Sequence, residues 1–454
     1  MLTRQALSNG GSYCDLYFED TSTWGYSLRD SQISSCAFKK DYGCGIRVLD
    51  GDKTGYAYSE TTDIPSLVKA AKAASAIAGG ASKAYRPVAV TPSGQNDLYP
   101  MDKPLTGTNS ELYIKLLRSL DRKIRATDER VVNVQANITY LLSKIMMYNS
   151  LGELIGDIRP LCSIRVTAVF SKGGVLQYKN ASKSLRMGEE FYTQALVDEM
   201  CTKVTSNVDQ LFEARRPKGG QMKVVMGAGA SGILLHEAIG HTFEADFNRK
   251  GQSIFADKMG QQICKAGINI VDDATLPHYR GSGNYDDEGV PGQKVYMITD
   301  GKLTSYLHDR ISADYYGVAP TGNGRRESFR DVPIPRMHST YMENGTDGTL
   351  EDLIKRAGNG IYVDNFANGE VKIGEGDFTF YVKSGYLIEN GKLTMPIKDV
   401  NIIGNGPQAL ADIEAVASDL KVDQGTWTCG KGQDAVVSCG IPSVLIGNLT
   451  VGGE

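Results

Sequence analysis

Histidine is scarce in this chain: five in 454 residues. No apolar run approaches the ~18 residues that a membrane-spanning helix needs. Met1-Leu2-Thr3-Arg4-Gln5 leads straight into polar sequence, so no secretory signal is expected. The eight cysteines form neither a C-x-x-C pair nor a disulfide framework. A reducing cytoplasm is the compartment these absences predict, with most cysteines serving as small buried residues. A strong charge of either sign is also missing. The formal net charge of −4 favours neither nucleic acid nor an anionic membrane as partner.

The length exceeds what one core usually serves, so several domains are expected. The first sixty residues read as a β-meander. Its strands are Tyr13 to Glu19, Trp24 to Arg29, Ile33 to Lys40, Gly45 to Leu49 and Gly55 to Ser59. A helix capped by Asp63, with Pro65 in its first turn, follows and ends at Gly79-Gly80. A Pro/Gly/Ser/Thr-rich stretch over 86–108 reads as a linker. A second unit then opens with an amphipathic helix from Ser110 to about Arg125. Strands at 131–140, 145–149, 154–157, 164–171 and 175–178 continue it, and a helix from Phe191 to Phe212 closes it. The third unit is strand-rich, with short helices capped at Thr349 and covering Gln408 to Val416. The resulting division is 1–85, a linker at 86–108, 109–216 and 217–454. The predicted class is α+β: two mixed sheet/helix units, then a mostly antiparallel β-rich C-terminal domain.

Two of the five histidines flank one glutamate, in His236-Glu237-Ala238-Ile239-Gly240-His241. Two imidazoles can hold a divalent metal, and a carboxylate beside them can take a proton from water that the metal activates. The familiar zinc-protease helix spaces its histidines i, i+4, on one face. Here the spacing is i, i+5, roughly 140° apart on a regular helix. A shared metal therefore requires an irregular helix end near Gly240, where glycine deforms at least steric cost. Taken alone, the stretch also fits a buried helix with two stray histidines. Gly227-Ala228-Gly229-Ala230-Ser231-Gly232, between a strand at Met222 to Met226 and a helix, matches the dinucleotide fingerprint in spacing. The acidic residue that should end a second strand is absent. The glycines fit better as a close approach of strand to helix start, or as room for a substrate backbone.

The same region carries further motifs: Ala319-Pro320-Thr321-Gly322-Asn323-Gly324-Arg325-Arg326-Glu327-Ser328, then Pro335-Arg336-Met337 and Thr340-Tyr341-Met342. Cys429-Gly430-Lys431-Gly432-Gln433 and Asn448-Leu449-Thr450-Val451-Gly452-Gly453 follow in the tail. With Asp15-Leu16-Tyr17-Phe18-Glu19 and Thr54-Gly55-Tyr56-Ala57-Tyr58, the chain resembles the TldD/PmbA metallopeptidases over nearly its whole length. It is most similar to the TldD-like kind of subunit, which keeps the metal ligands that the PmbA-like (TldE) kind lacks.

The resemblance implies hydrolysis of unfolded or precursor peptides at one zinc per chain, held by His236, His241 and the tail cysteine, Cys429. Glu237 is then the general base. Cys439 and Glu244 stand as rival third ligands, Glu244 also as a residue that orients a histidine. His278, His308 and His338 read as structural. Arg325 and Arg326 are candidates to hold a substrate carboxylate or a neighbouring loop. Extended peptides are the expected substrates, added as a strand. A PmbA/TldE-like subunit or further copies of the chain are the expected partners. A metal-dependent amidase on small substrates and a non-catalytic interaction subunit are the alternatives.

Overall fold

The computed structural model describes residues 1–80, 88–92, 97–107, 109–372 and 374–453, without the side chains of residues 367 and 368. The expected linker at 86–108 thus lies partly outside the described residues. Within it, Thr91–Pro92 pairs with Glu153 and Leu154, and Tyr99 and Leu105 are buried.

Both N-terminal units contribute to one sheet. Its strands run in the order Lys53–Ser59, Gln32–Asp50, Tyr13–Arg29, Val131–Asn149 and Glu153–Lys172, with Val175–Leu185 pairing on the last. The seam between the units is the antiparallel pairing of Tyr13–Arg29 with Val131–Asn149, which runs unbroken from Asp15↔Asn149 to Arg29↔Gln135.

The strands of this sheet are longer than the sequence suggests: 154–157 and 164–171 are one strand, Glu153–Lys172, and 175–178 extends to Leu185. For three others the physical reason is visible. Glu19, Thr21 and Thr23, which resemble a polar break, line a polar cavity within a continuous strand. Gly43 and Gly45, which resemble a turn, lie where Phe329 crosses the sheet. A Cβ on Gly45 would sit 2.6 Å from the Phe329 carbonyl oxygen. In Val131–Asn149 the buried positions change phase. Val134, Ala136, Ile138 and Tyr140 face one side; Ser143, Ile145 and Met147 face the other. Side chains alternate along a strand, so this one strand has two covers. Its first half packs with Leu116, Leu117, Leu120 and Ile124 of the helix Ser110–Thr127 and with Val197 and Met200 of Gln194–Thr205. Its second half packs with Tyr285 and Phe329 from the C-terminal region.

Asp63 caps the helix Ile64–Ser75 through the Ser66 amide, as expected. The helix predicted over 191–212 is instead two helices, Gln194–Thr205 and Val208–Glu213. They are broken at Ser206-Asn207, with Asn207 left-handed at φ 55°. Asparagine reaches that conformation more readily than most residues. The predicted helix at Gln408 to Val416 stops at Ala411 and gives way to a strand, Ile413–Val416, which pairs with the tail. Thr349 and Asp352 form the expected capping box.

In the C-terminal region, five strands join in a ring: Gly360–Val371, Gly220–Met226, Val444–Gly452, Val400–Asn405 and Asp377–Glu389, the last pairing back on the first. Antiparallel pairs dominate. Among the described strand pairs, Gly220–Met226 on Gly360–Val371 and Ser339–Met342 on Ser438–Ile441 are parallel. The helix Ile233–Ala238 buries Leu234 and Leu235 in the core that these strands share, with Met226, Phe378 and Phe380. Sequence and structure agree on an α+β protein with a β-rich C-terminal region.

Candidate metal centre

The strand Gly220–Met226 delivers the chain to the glycine segment. Gly229 takes φ 94°, and the turn Ala230–Gly232 leads into the helix Ile233–Ala238. A Cβ on Gly232 would lie 2.5–2.7 Å from Gly440 backbone atoms, so this glycine permits the close strand approach expected of it. The amides of Gly227, Gly229 and Gly232 donate to the carbonyls of Val363, Ile441 and Gly229. These donors are used within the fold and are not turned toward a diphosphate.

The helix stops at Ala238. Ile239 adopts φ −129° and ψ −52°, and a 3-10 turn covers Gly240–Phe243. This is the irregular end that the i, i+5 spacing required. It brings the rings of His236 and His241 to 5.2 Å between centroids, at 80°. A Cβ on Gly240 would collide with the Met337 sulfur.

Cys429 arrives from the far end of the chain on the strand Thr428–Gly430, paired with Asp434–Val436. Arg336 donates to the Cys429 carbonyl at 2.5 Å, and Arg280 donates to the Trp427 carbonyl and the Thr428 hydroxyl. Its Sγ lies 3.1 Å from His241 Nε2. One ligand atom each from His236, His241 and Cys429 falls within 4.8 Å of the others, and all three residues are buried. Tetrahedral zinc with Zn–N near 2.1 Å and Zn–S near 2.3 Å separates its ligand atoms by roughly 3.6 Å, so the set matches such an ion in size. His236 gives the sharper test. It is 1% exposed, and among the described residues neither ring nitrogen has a hydrogen-bond partner. An unsatisfied buried polar group costs ~1–3 kcal/mol, a cost that metal ligation removes. Two imidazoles and a thiolate form a donor set that suits zinc.

Burial opposes ionisation of the Cys429 thiol, but His236 and His241 outweigh it and bring the thiol down to about 5. The sulfur is thus poised as thiolate, the form that binds metal.

Glu244 lies on the other nitrogen of His241, its Oε2 3.0 Å from Nδ1. Burial alone would raise its carboxyl. Lys431, 3.0 Å away, and His241 outweigh burial and bring it to about 2. The structure therefore places Glu244 behind His241 and outside the ligand cluster. Cys439 is also outside it: it sits on Ser438–Ile441, and burial pushes its thiol well up. Glu237 is only partly buried, with Oε2 3.8 Å from His241 Nε2, on the side where Cys429 also approaches.

Of the other three histidines, two bond to the frame through their rings. His278 Nδ1 faces the Arg186 carbonyl at 3.0 Å, and His338 bridges the carbonyls of Gly281 and Gly322. Burial brings His308 down to about 4, so it is neutral at pH 7. Arg325 donates to the Met337 and Val436 carbonyls, and Arg326 contacts Tyr56 and Asp287. Sequence reasoning gave no role to Lys431 and Arg336, the cations around Glu244. The signal available was Glu244 itself, since a buried carboxylate requires a cation.

Comparison with known proteins gives the family. Residues 14–78, 103–208 and 219–453 match the PmbA/TldA metallopeptidase domain 1, central domain and C-terminal domain. A Haemophilus influenzae protein named metalloprotease TldD homolog is 37% identical over 453 residues, covering 97% of this chain and 93% of its own. A Saccharolobus solfataricus protein named zinc metalloprotease TldD homolog is 32% identical over 66% of this chain and 67% of its own. The structure of TldE from Thermococcus kodakarensis superposes with a TM-score of 0.75 at 19% identity, over 100% of this chain and 99% of that one, a likeness of fold. The chain belongs to the PmbA/TldD family of metallopeptidases.

Proposed function

We propose that this chain is a zinc peptidase whose ion is held by His236, His241 and Cys429 and whose general base is Glu237. The observation that carries this is His236, buried with both ring nitrogens unpartnered beside the Cys429–His241 pair. The zinc named for the Saccharolobus solfataricus relative agrees with the donor set. Bound there, zinc supplies a Lewis acid that acidifies water and polarises the scissile carbonyl. Glu244, anchored by Lys431, keeps His241 Nδ1 engaged and so presents Nε2 to the ligand cluster. Glu237, partly exposed, accepts a proton from the attacking water at its carboxylate and passes it to the leaving amine. Its substrates are extended, unfolded or precursor peptides. A PmbA/TldE-like subunit is the partner that the TldE fold likeness suggests. The eight cysteines are free, seven of them buried, which suits a reducing cytoplasm. Among the described residues, no helix is long and apolar enough to cross a membrane.

The test is Glu237→Gln. Hydrolysis of an unfolded polypeptide is expected to fall ~10²–10⁴-fold while zinc content stays that of the parent. Unchanged hydrolysis in the zinc-loaded variant would remove Glu237 from the chemistry.

A further inference from the structure

A cavity of about 510 Å³ lies between the N-terminal sheet and the C-terminal region, with Arg186 and Arg325 in its wall. Its volume is in the range of ligand sites. Asp434–Val436 forms part of the wall, and Ala435 is the cross-strand partner of Cys429. The wall is therefore one strand spacing, ~5 Å, from the metal-ligand strand.

Half of the ionic groups in the wall are in ion pairs, and among the described residues its carboxylates Glu19, Glu327, Asp331 and Asp434 have no cation within 4.0 Å. Arg159 pairs with Asp157 and Asp287, Arg330 with Asp41 and Glu60, and Arg326 with Asp15. Arg186 and Arg325 differ: among the described residues, neither has a carboxylate within 4.0 Å. Arg325 spends its donors on the Met337 and Val436 carbonyls, so it contributes charge more than hydrogen bonds. Arg186 has donors to spare. It is 6% exposed, and among the described residues its Nε has no partner and Nη1 reaches only the Pro160 carbonyl, at 3.4 Å. Its position is fixed from both ends. The Arg186 amide donates to the His278 carbonyl, His278 Nδ1 faces the Arg186 carbonyl, and the guanidinium lies 5.3 Å over the Tyr99 ring. Burial lowers Arg186, and brings Arg325 down to about 10, with Arg186 adding to that fall. Asp157 and Asp287 offset part of the burial of Arg186 without touching it. A held, buried guanidinium with no carboxylate in direct contact fits an anion that arrives with the substrate.

We propose that this cavity is a carboxylate-recognition subsite, in which Arg186 binds and Arg325 attracts a carboxylate of the peptide substrate. The inference rests on the peptidase reading for its substrate class. At ~3.3 Å per residue, a few extended residues reach from the ligand strand to the cavity. The carboxylate is then the peptide's C-terminus or an acidic side chain near the scissile bond.

The test is equilibrium binding by the Glu237→Gln protein, read by fluorescence anisotropy. Three N-terminally labelled versions of one short flexible peptide are compared: free C-terminus with one internal Glu, the C-terminal amide, and the internal Glu replaced by Gln. Removing the recognised carboxylate is expected to weaken binding about tenfold or more. Loss on amidation assigns the C-terminus; loss on Gln replacement assigns the side chain. Arg186→Gln is expected to bind all three at the weaker level, and Arg186→Lys, which keeps the charge, to retain part of the discrimination. Three peptides bound alike by the Arg186 protein, or bound by neither, overturn the proposal even where the Gln variant fails to fold. So does discrimination that persists in a folded Arg186→Gln. Binding is read without turnover. Discrimination in a protein whose Glu237 parent hydrolyses no peptide would sink the peptidase reading and leave the carboxylate subsite standing.

Discussion

Glu244 shows what a single residue does in this site. Its carboxylate is fully buried, contacts His241 Nδ1 and is approached by Lys431 at 3.0 Å and Arg336 at 3.7 Å. Glu244→Gln keeps the shape and removes the charge. Zinc affinity, measured by competition with a chromogenic chelator, is expected to fall ~10–100-fold; an affinity equal to the parent's would mean that Glu244 does not orient the ligand. At this scale the sequence was legible where partners are near in the chain. His236, Glu237 and His241 were visible, and their odd spacing foretold the broken helix. Cys429, 188 residues from His241, was reachable only through family resemblance. The pairing of Lys431 and Arg336 with Glu244 was not legible, because spacing does not reveal which distant charges the fold brings together.

At the scale of elements, two devices shape the site: a helix that ends early and a glycine that lets a strand press against its start. Gly232 meets Gly440 backbone, which has no flexible side chain to swing aside. Gly232→Ala is therefore expected to destabilise the protein by ~1–3 kcal/mol, seen as a lower denaturant midpoint. An unchanged midpoint would show that the strand yields freely. Amphipathic helices and caps were legible here, because local periodicity and capping chemistry determine them: Ser110–Thr127, Asp63 and Thr349 all appear as read. Strand lengths were not. Residues 20–23 and 41–44 look like turns, yet they answer to a cavity that the C-terminal region closes and to Phe329 from that region. The phase change after Tyr140 looked like a break for the same reason, since the strand changes cover.

Across the whole molecule, an ionic seam fastens the N-terminal sheet to the C-terminal region. Arg47 donates to Asp15 at 2.7 Å and to Glu288 at 2.6 Å; Asp287 pairs with Arg159 at 2.5 Å and accepts from the Arg326 amide at 2.8 Å. Burial alone would raise Asp287, but Arg159 and Arg326 outweigh it and hold the carboxyl below its usual range. A folded-state value below that of the unfolded chain adds stability above pH ~4, and that stability is lost as the pH falls through the depressed value. Asp287→Asn is expected to lose ~3 kcal/mol at pH 7 and progressively less toward pH 3. A loss that stays constant with pH would show that the charge is not what holds the seam. None of this seam was legible beforehand. The N-terminal and central units were read as 1–85 and 109–216; not legible was that one sheet runs through both, by way of Tyr13–Arg29 and Val131–Asn149.

X-ray absorption at the zinc edge of the purified, untagged protein reads the ion's ligands. The expected result is about one zinc per chain with a single sulfur near 2.3 Å and nitrogen or oxygen ligands near 2.0–2.1 Å. Cys429→Ser should remove the sulfur signal, and Cys439→Ser should leave it. A zinc shell without sulfur, or a sulfur signal that survives Cys429→Ser, would contradict the His236–His241–Cys429 centre.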